Sequence, residues 1–242
     1  DRFEGWVVSP GHGTGPMNHW NPRKVRLKEG QPERDPVTGC GGVLRTIIAA
    51  EMDSQNPLTS TSVYGNYPLS QIYCSLTGET DPRNHEVTKR SGLAYDWTRE
   101  ELDYGLKFTF HIFSNATWHD GVPVTAEDVE FSYNYIKNNS IPTYAVAIPY
   151  LNSCRAIDDY TVEIVTNGKS YWAFDQIRGW TILPKHIWEG IISPVTFTNP
   201  TPIGCGPFKW YRRIEGEYVE LRFWENYHYG ILGHYRTPTP AP

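Results

Sequence analysis

Histidines, paired acids and cysteines are the residues here whose types could do chemistry. His119 and Asp120 sit together in Trp118-His119-Asp120-Gly121, Glu127-Asp128 follows, and Asp158-Asp159 forms another acidic pair. A catalytic base needs an orienting partner and a nucleophile beside it, but neighbouring residues point apart and no G-x-S-x-G elbow occurs. A glycosidase needs two separated carboxylates converging across a cleft. These acids instead fall at a turn and at a helix start, where carboxylates are favoured for backbone reasons. His12 and His19 could bind a metal but lack a third ligand at recognisable spacing. Cys40, Cys74, Cys154 and Cys205 contain no Cys-x-x-Cys step, which leaves buried thiols or disulfides, in any pairing. The residues predict recognition, not turnover, with no cofactor and no metal.

The elements that must position these residues centre on Leu106–Lys137. Phe108, Phe110 and Ile112 alternate as in a half-buried strand. His119-Asp120-Gly121 supplies a turn, and Val122-Pro123-Val124 stays extended. Thr125 then caps a helix carrying Glu127 and Asp128 in its first turn and Val129, Tyr133 and Ile136 along one stripe. Val43–Ala50 reads as a nearly continuous apolar, buried strand. Tyr67–Leu76 reads as a short helix with Leu69, Ile72, Tyr73 and Leu76 on one side. Arg155–Val165 reads as two strands joined at Asp158-Asp159, and Phe208–Arg212 with Tyr218–Phe223 as a further hairpin. Residues 1–39, rich in Gly and Pro, form an irregular segment, and 237–242 a stiff Pro-rich tail.

The chain has 242 residues, room for one large or two modest domains. Its aromatic content of 14% excludes disorder, and a net charge of −5 without a basic stripe argues against a nucleic-acid partner. Arg23–Lys28 and Arg212-Arg213 are the dense basic clusters, and each fits a solvated strand edge. No apolar run is long enough to cross a bilayer.

Trp118-His119-Asp120-Gly121-Val122-Pro123-Val124-Thr125-Ala126-Glu127-Asp128-Val129 resembles the signature of the extracellular solute-binding proteins of peptide-type ABC importers, solute-binding protein family 5. Other segments are similar in the family's order: Gly41–Ile48 with Asn56-Pro57-Leu58, Ser91–Trp97, Pro184-Lys185-His186, Pro202–Phe208 and Glu225–Tyr229. Cys205 and Phe208 depart from the family's Thr and Tyr. The resemblance spans about residues 40 to 230 and is too short for both lobes, so it implies the N-terminal lobe alone.

That resemblance implies an α/β fold of mixed α+β type: a periplasmic-binding-protein-like type II lobe with a mixed sheet. The lobe would occupy 40–236, with an inserted smaller α+β subdomain at about 60–175. It implies capture of di- or oligopeptides or another small solute by lobe closure, delivery to ABC permease transmembrane subunits, and a monomer outside the cell, anchored to the membrane. By itself the single lobe would bind weakly. An extracellular setting favours at least one disulfide. The solute wall it implies comprises Asn56, Tyr64, Tyr67, Trp180, Gly204, Cys205 and Gly206, aromatic surface with glycines that let backbone approach a ligand. Rival readings are the same fold binding oligosaccharides, for which nine tryptophans offer stacking surfaces, and a secreted hydrolase or adhesion module.

Overall fold

A computed structural model of the chain describes residues 45–78, 92–170 and 172–228. The expectations for residues 1–39, His12, His19, Arg23–Lys28, Cys40 and 237–242 lie outside the described residues. The chain divides after Ala50 into two compact units, 1–50 and 51–242. In the first unit, residues 45–50 carry no regular structure and Ile47 is 81% exposed. This corrects the buried strand expected over Val43–Ala50. An apolar run becomes a buried strand only when its backbone groups find a paired neighbour, and among the described residues none pairs with 45–50.

The second unit runs α1 (Val63–Ile72), β1 (Ala94–Glu101), β2 (Leu106–Ile112), α2 (Ala126–Asn138), β3 (Leu151–Asp158), β4 (Thr161–Thr166), α3 (Ala173–Arg178), α4 (Lys185–Trp188), β5 (Phe208–Ile214) and β6 (Tyr218–Phe223). The first four strands form one sheet in the order β1-β2-β4-β3, and β5-β6 form a separate hairpin. All pairs within these sheets are antiparallel, where the resemblance implied a mixed sheet. Among the described residues the one parallel pairing is the isolated bridge Gly105↔Gly168. The hairpin connections β1-β2 and β3-β4 dictate this, because a parallel neighbour needs a long crossover.

β2 shows the cleanest link from sequence to core. Leu106, Phe108, Phe110 and Ile112 are buried while the residues between them are half-buried. Opposite them on the same face, Ile164 pairs with Phe108 and Val162 with Phe110. The Phe174 ring of α3 closes over this face, 5.1 Å from Phe108 and stacked 6.4 Å from Phe110.

β3 lies at the edge of the sheet, and α2 blunts that edge. Glu130 accepts from the Ala156 N–H at 2.8 Å, and the Lys137 ammonium donates to the carbonyls of Leu151 and Asn152. Charged side chains thus occupy backbone groups that would otherwise invite another strand.

Helix α1 begins four residues before the expected Tyr67 and ends at Ile72. Ser62 caps it by accepting from the Tyr64 N–H, and the Asp53 carboxylate accepts from the N–H groups of Thr61 and Ser62. Pro68 therefore falls inside the helix. Tyr73 and Leu76 are buried as expected, though past the helix end.

Candidate functional site

The signature segment is a joint between three parts of the chain, and Asp128 is its centre. Its carboxylate accepts from the Thr125 N–H at 3.0 Å, completing a reciprocal cap at the start of α2. It also accepts from the Trp118 indole at 3.3 Å and from the Lys185 N–H at 3.0 Å. One buried acid therefore ties the turn before α2 to the turn before α4. Ser132, one turn along, accepts from the Leu183 N–H at 2.8 Å.

The turn itself has Gly121 at φ 91°, a left-handed conformation that suits glycine. Asp120 accepts from the Val122 N–H through one oxygen and meets His186 Nε2 at 2.7 Å through the other. Asp120 thus pairs with His186 and not with its neighbour His119. A carboxylate-oriented imidazole is half of a catalytic triad, yet among the described residues no hydroxyl or thiol bonds to His186. Cys154 is a buried free thiol whose pKa is pushed up by burial and by the nearby Glu130 charge, the opposite of an activated nucleophile.

His119 turns the other way, onto the Gly204–Gly206 loop. Its backbone N–H donates to the Gly204 carbonyl at 2.9 Å. Ring Nε2 lies 3.0 Å from the Gly206 carbonyl, and Nδ1 accepts from the Gly204 N–H at 3.3 Å. Trp224 packs against the ring edge-on at 5.7 Å. Desolvation, with Lys209 as a further unfavourable charge, pushes its pKa down to about 4. His119 is neutral at pH 7.

The same loop is fastened to the end of α1. Gly206 donates to the Ile72 carbonyl at 2.7 Å, and Cys205 is disulfide-bonded to Cys74 with Cα atoms 5.6 Å apart. A Cβ on Gly204 would run into the Ile72 carbonyl oxygen. Close packing on α1 therefore explains these glycines, and their N–H groups donate inward.

The predicted wall residues divide accordingly. Tyr64 and Tyr67 lie on α1, Tyr67 58% exposed. Gly204, Cys205 and Gly206 lie buried against the C-terminal end of that helix. Trp180 is buried two residues before Ile182, whose N–H donates to the Cys74 carbonyl. Its indole stacks on Tyr133 at 4.8 Å and donates to the Gln176 carbonyl. Asn56 is fully buried, and its amide donates to the carbonyls of Pro194 and Phe197 while accepting from the Leu58 N–H. Direct solute contact through Asn56 or Trp180 would require breaking those bonds. The structure adds His119, Asp128 and Cys74, which the sequence alone presents as a turn residue, a helix-start acid and a cysteine of open pairing. The Cys-for-Thr departure between two glycines was the available signal for the bridge. A groove of about 500 Å³ elsewhere, lined by Glu127, Glu130, Phe131 and Tyr135 among others, contains none of the seven predicted wall residues.

The family described as bacterial extracellular solute-binding proteins, family 5 (middle region), matches residues 90–237. A Brucella ovis protein named for ABC-transporter peptide binding is 30% identical over 69% of this chain and 31% of its own length. The oligopeptide-binding protein AppA of Bacillus subtilis, solved with a nonapeptide, superposes with a TM-score of 0.60 at 30% identity. That superposition covers 72% of this chain and 35% of AppA. NikZ of Campylobacter jejuni, solved with Ni(L-His), gives a TM-score of 0.61 at 27% identity over 75% of this chain and 35% of NikZ. The chain therefore spans about a third of the length of these relatives. On the signature joint, the fold and these matches together, the chain belongs to the extracellular solute-binding proteins of family 5.

Proposed function

We propose that the protein captures peptides outside the membrane and presents them to an ABC permease, with α1 and the Gly204–Gly206 loop forming part of the solute-facing wall. The family match over residues 90–237 carries this reading. The relatives' names favour peptides over other solutes. Peptide capture needs aromatic surface, and the exposed Tyr67 with the half-buried Tyr64 offers it on a helix held by a bridge, a buried histidine and close-packed glycines. Residues 40–236 form the first lobe, with 60–175 as its inserted part, and grip comes from closure of a second wall over the solute. The mature protein works as a monomer tethered at the outer membrane face.

A thermal-shift comparison on the natural full-length protein tests this. A mixed-sequence nonapeptide should raise the midpoint, as binding to the native state alone must. An oligosaccharide and nickel-histidine should leave it unchanged. Stabilisation by the oligosaccharide alone would replace the peptide reading with the sugar one.

A further inference from the structure

We propose that His119 is a proton-operated latch, holding the Gly204 N–H at the Trp118–Gly121 turn when its ring is neutral and letting that N–H go in acid.

The partners fix the state of the ring. The Gly206 carbonyl can only accept, so Nε2 carries the hydrogen, and the Gly204 N–H can only donate, so Nδ1 must offer its lone pair. Neutral imidazole has one donor and one acceptor nitrogen, and this loop uses both. Protonation puts a second N–H at Nδ1, directly facing the Gly204 N–H. An attraction becomes a clash of two donors.

The surroundings sharpen that change. Lys209 on β5 bears on the ring as a like charge and opposes a second cation, and Asp120 is the acid that favours one. Asp120 already accepts from Val122 and is engaged by His186. The Ile203–Gly206 segment brings no titrating group, since Cys205 is bridged, and Trp224 presents only an indole edge. The latch thus operates well below the pH range of ordinary histidines.

Release would be local. The Gly206 N–H bond to Ile72 and the Cys74–Cys205 bridge do not involve the imidazole. They keep the far side of the loop on α1, and the His119 backbone N–H keeps its bond to the Gly204 carbonyl, so the Gly204 N–H alone loses its partner. The device stands whatever the wall binds.

Residue-resolved NMR on the 242-residue chain tests it. At pH 7 the histidine nitrogen spectrum should show His119 with hydrogen on Nε2 and a bare Nδ1. Between pH 6 and 3.5, Gly204 amide protection, corrected for intrinsic exchange, should fall about tenfold, the size of one net hydrogen bond. The fall should track His119 titration, with Gly206 and the β2 amides still protected. In His119→Gln, which cannot gain a proton, Gly204 protection should be flat across that range. Hydrogen on Nδ1 at pH 7, Gly204 protection unmoved as His119 titrates, or joint loss at Gly204, Gly206 and β2 would each overturn the latch. Should His119→Gln fail to fold, the wild-type titration decides alone.

Discussion

In β2 every second side chain is buried and covered by helices, whereas in the β5–β6 hairpin Tyr211, Ile214 and Tyr218 remain exposed. Both stretches have β-prone, apolar-rich sequences. They differ in what lies above them. The face of β2 has Phe174 and the neighbouring strands of a four-stranded sheet. The hairpin packs Trp210, Val219 and Leu221 inward, while its outer face holds an Arg–Tyr–Glu cluster. There Arg222 lies 3.2 Å from the Tyr211 ring centroid, and Glu220 bonds both Arg212 and Arg222. Periodicity announces a strand. Burial depends on a covering layer that the strand's own sequence does not encode.

The bridge separates the two regions further. Cys74 and Cys205 lie 131 residues apart and enclose every strand of the four-stranded sheet, while the hairpin falls outside the loop. A large effect is therefore expected from Cys74→Ala with Cys205→Ala. Chain entropy for so long a loop sets an upper limit of about 5 kcal/mol, and measured losses are typically about 2–4. Urea unfolding should show the loss in the sheet region first. Phe110→Ala, under the Phe174 cover, should cost about 3–5 kcal/mol in the same assay. Tyr218→Ala on the hairpin's outer face should stay within about 1 kcal/mol. Equal costs at the two sites would break the comparison.

Acid should act between these extremes. His119 and His228 are each held near pKa 4, chiefly by desolvation, against an ordinary value of 6.5. Their neutral forms contribute stability that is whole above pH 6.5. It declines as the unfolded state takes up protons below that, and is spent once pH passes through about 4. Each could contribute up to about 3 kcal/mol, so midpoints of thermal melts should drop steadily from pH 6.5 to 4. A flat profile would show that neither ring is held neutral. Arg212→Ala, an exposed ion-pair partner on the hairpin, should leave the urea midpoint nearly unmoved, and what shift there is should shrink in high salt.

The strands β2, β3, β4, β5 and β6 and the helix α2 were readable because each is specified locally, by alternation, by a capping threonine or by an acid in the first turn. Val43–Ala50 looked equally strand-like, yet residues 45–50 are exposed and irregular, since a strand needs a partner that local pattern cannot name. α1 starts ahead of the Tyr67 that its apolar side suggests, because Asp53 and Ser62 cap the helix before Val63 and leave Pro68 inside it. In the loop around Cys205, the identities of Gly204 and Gly206 are legible but their reason is not. Their neighbour is Ile72, more than a hundred residues away in sequence, and only the folded chain brings that carbonyl close. His119 and Asp120 likewise read as one turn. In three dimensions each reaches a different distant segment.

Solute binding by the exposed face of α1 is the claim most open to direct attack. Titration calorimetry of a nonapeptide into the natural full-length protein, beside its Tyr64→Ala/Tyr67→Ala variant, provides the attack. If these tyrosines line the wall, the double variant should bind at least about tenfold more weakly, as loss of aromatic contact area implies, with an unchanged urea midpoint. Undiminished peptide affinity in the variant would contradict the account and move the wall elsewhere.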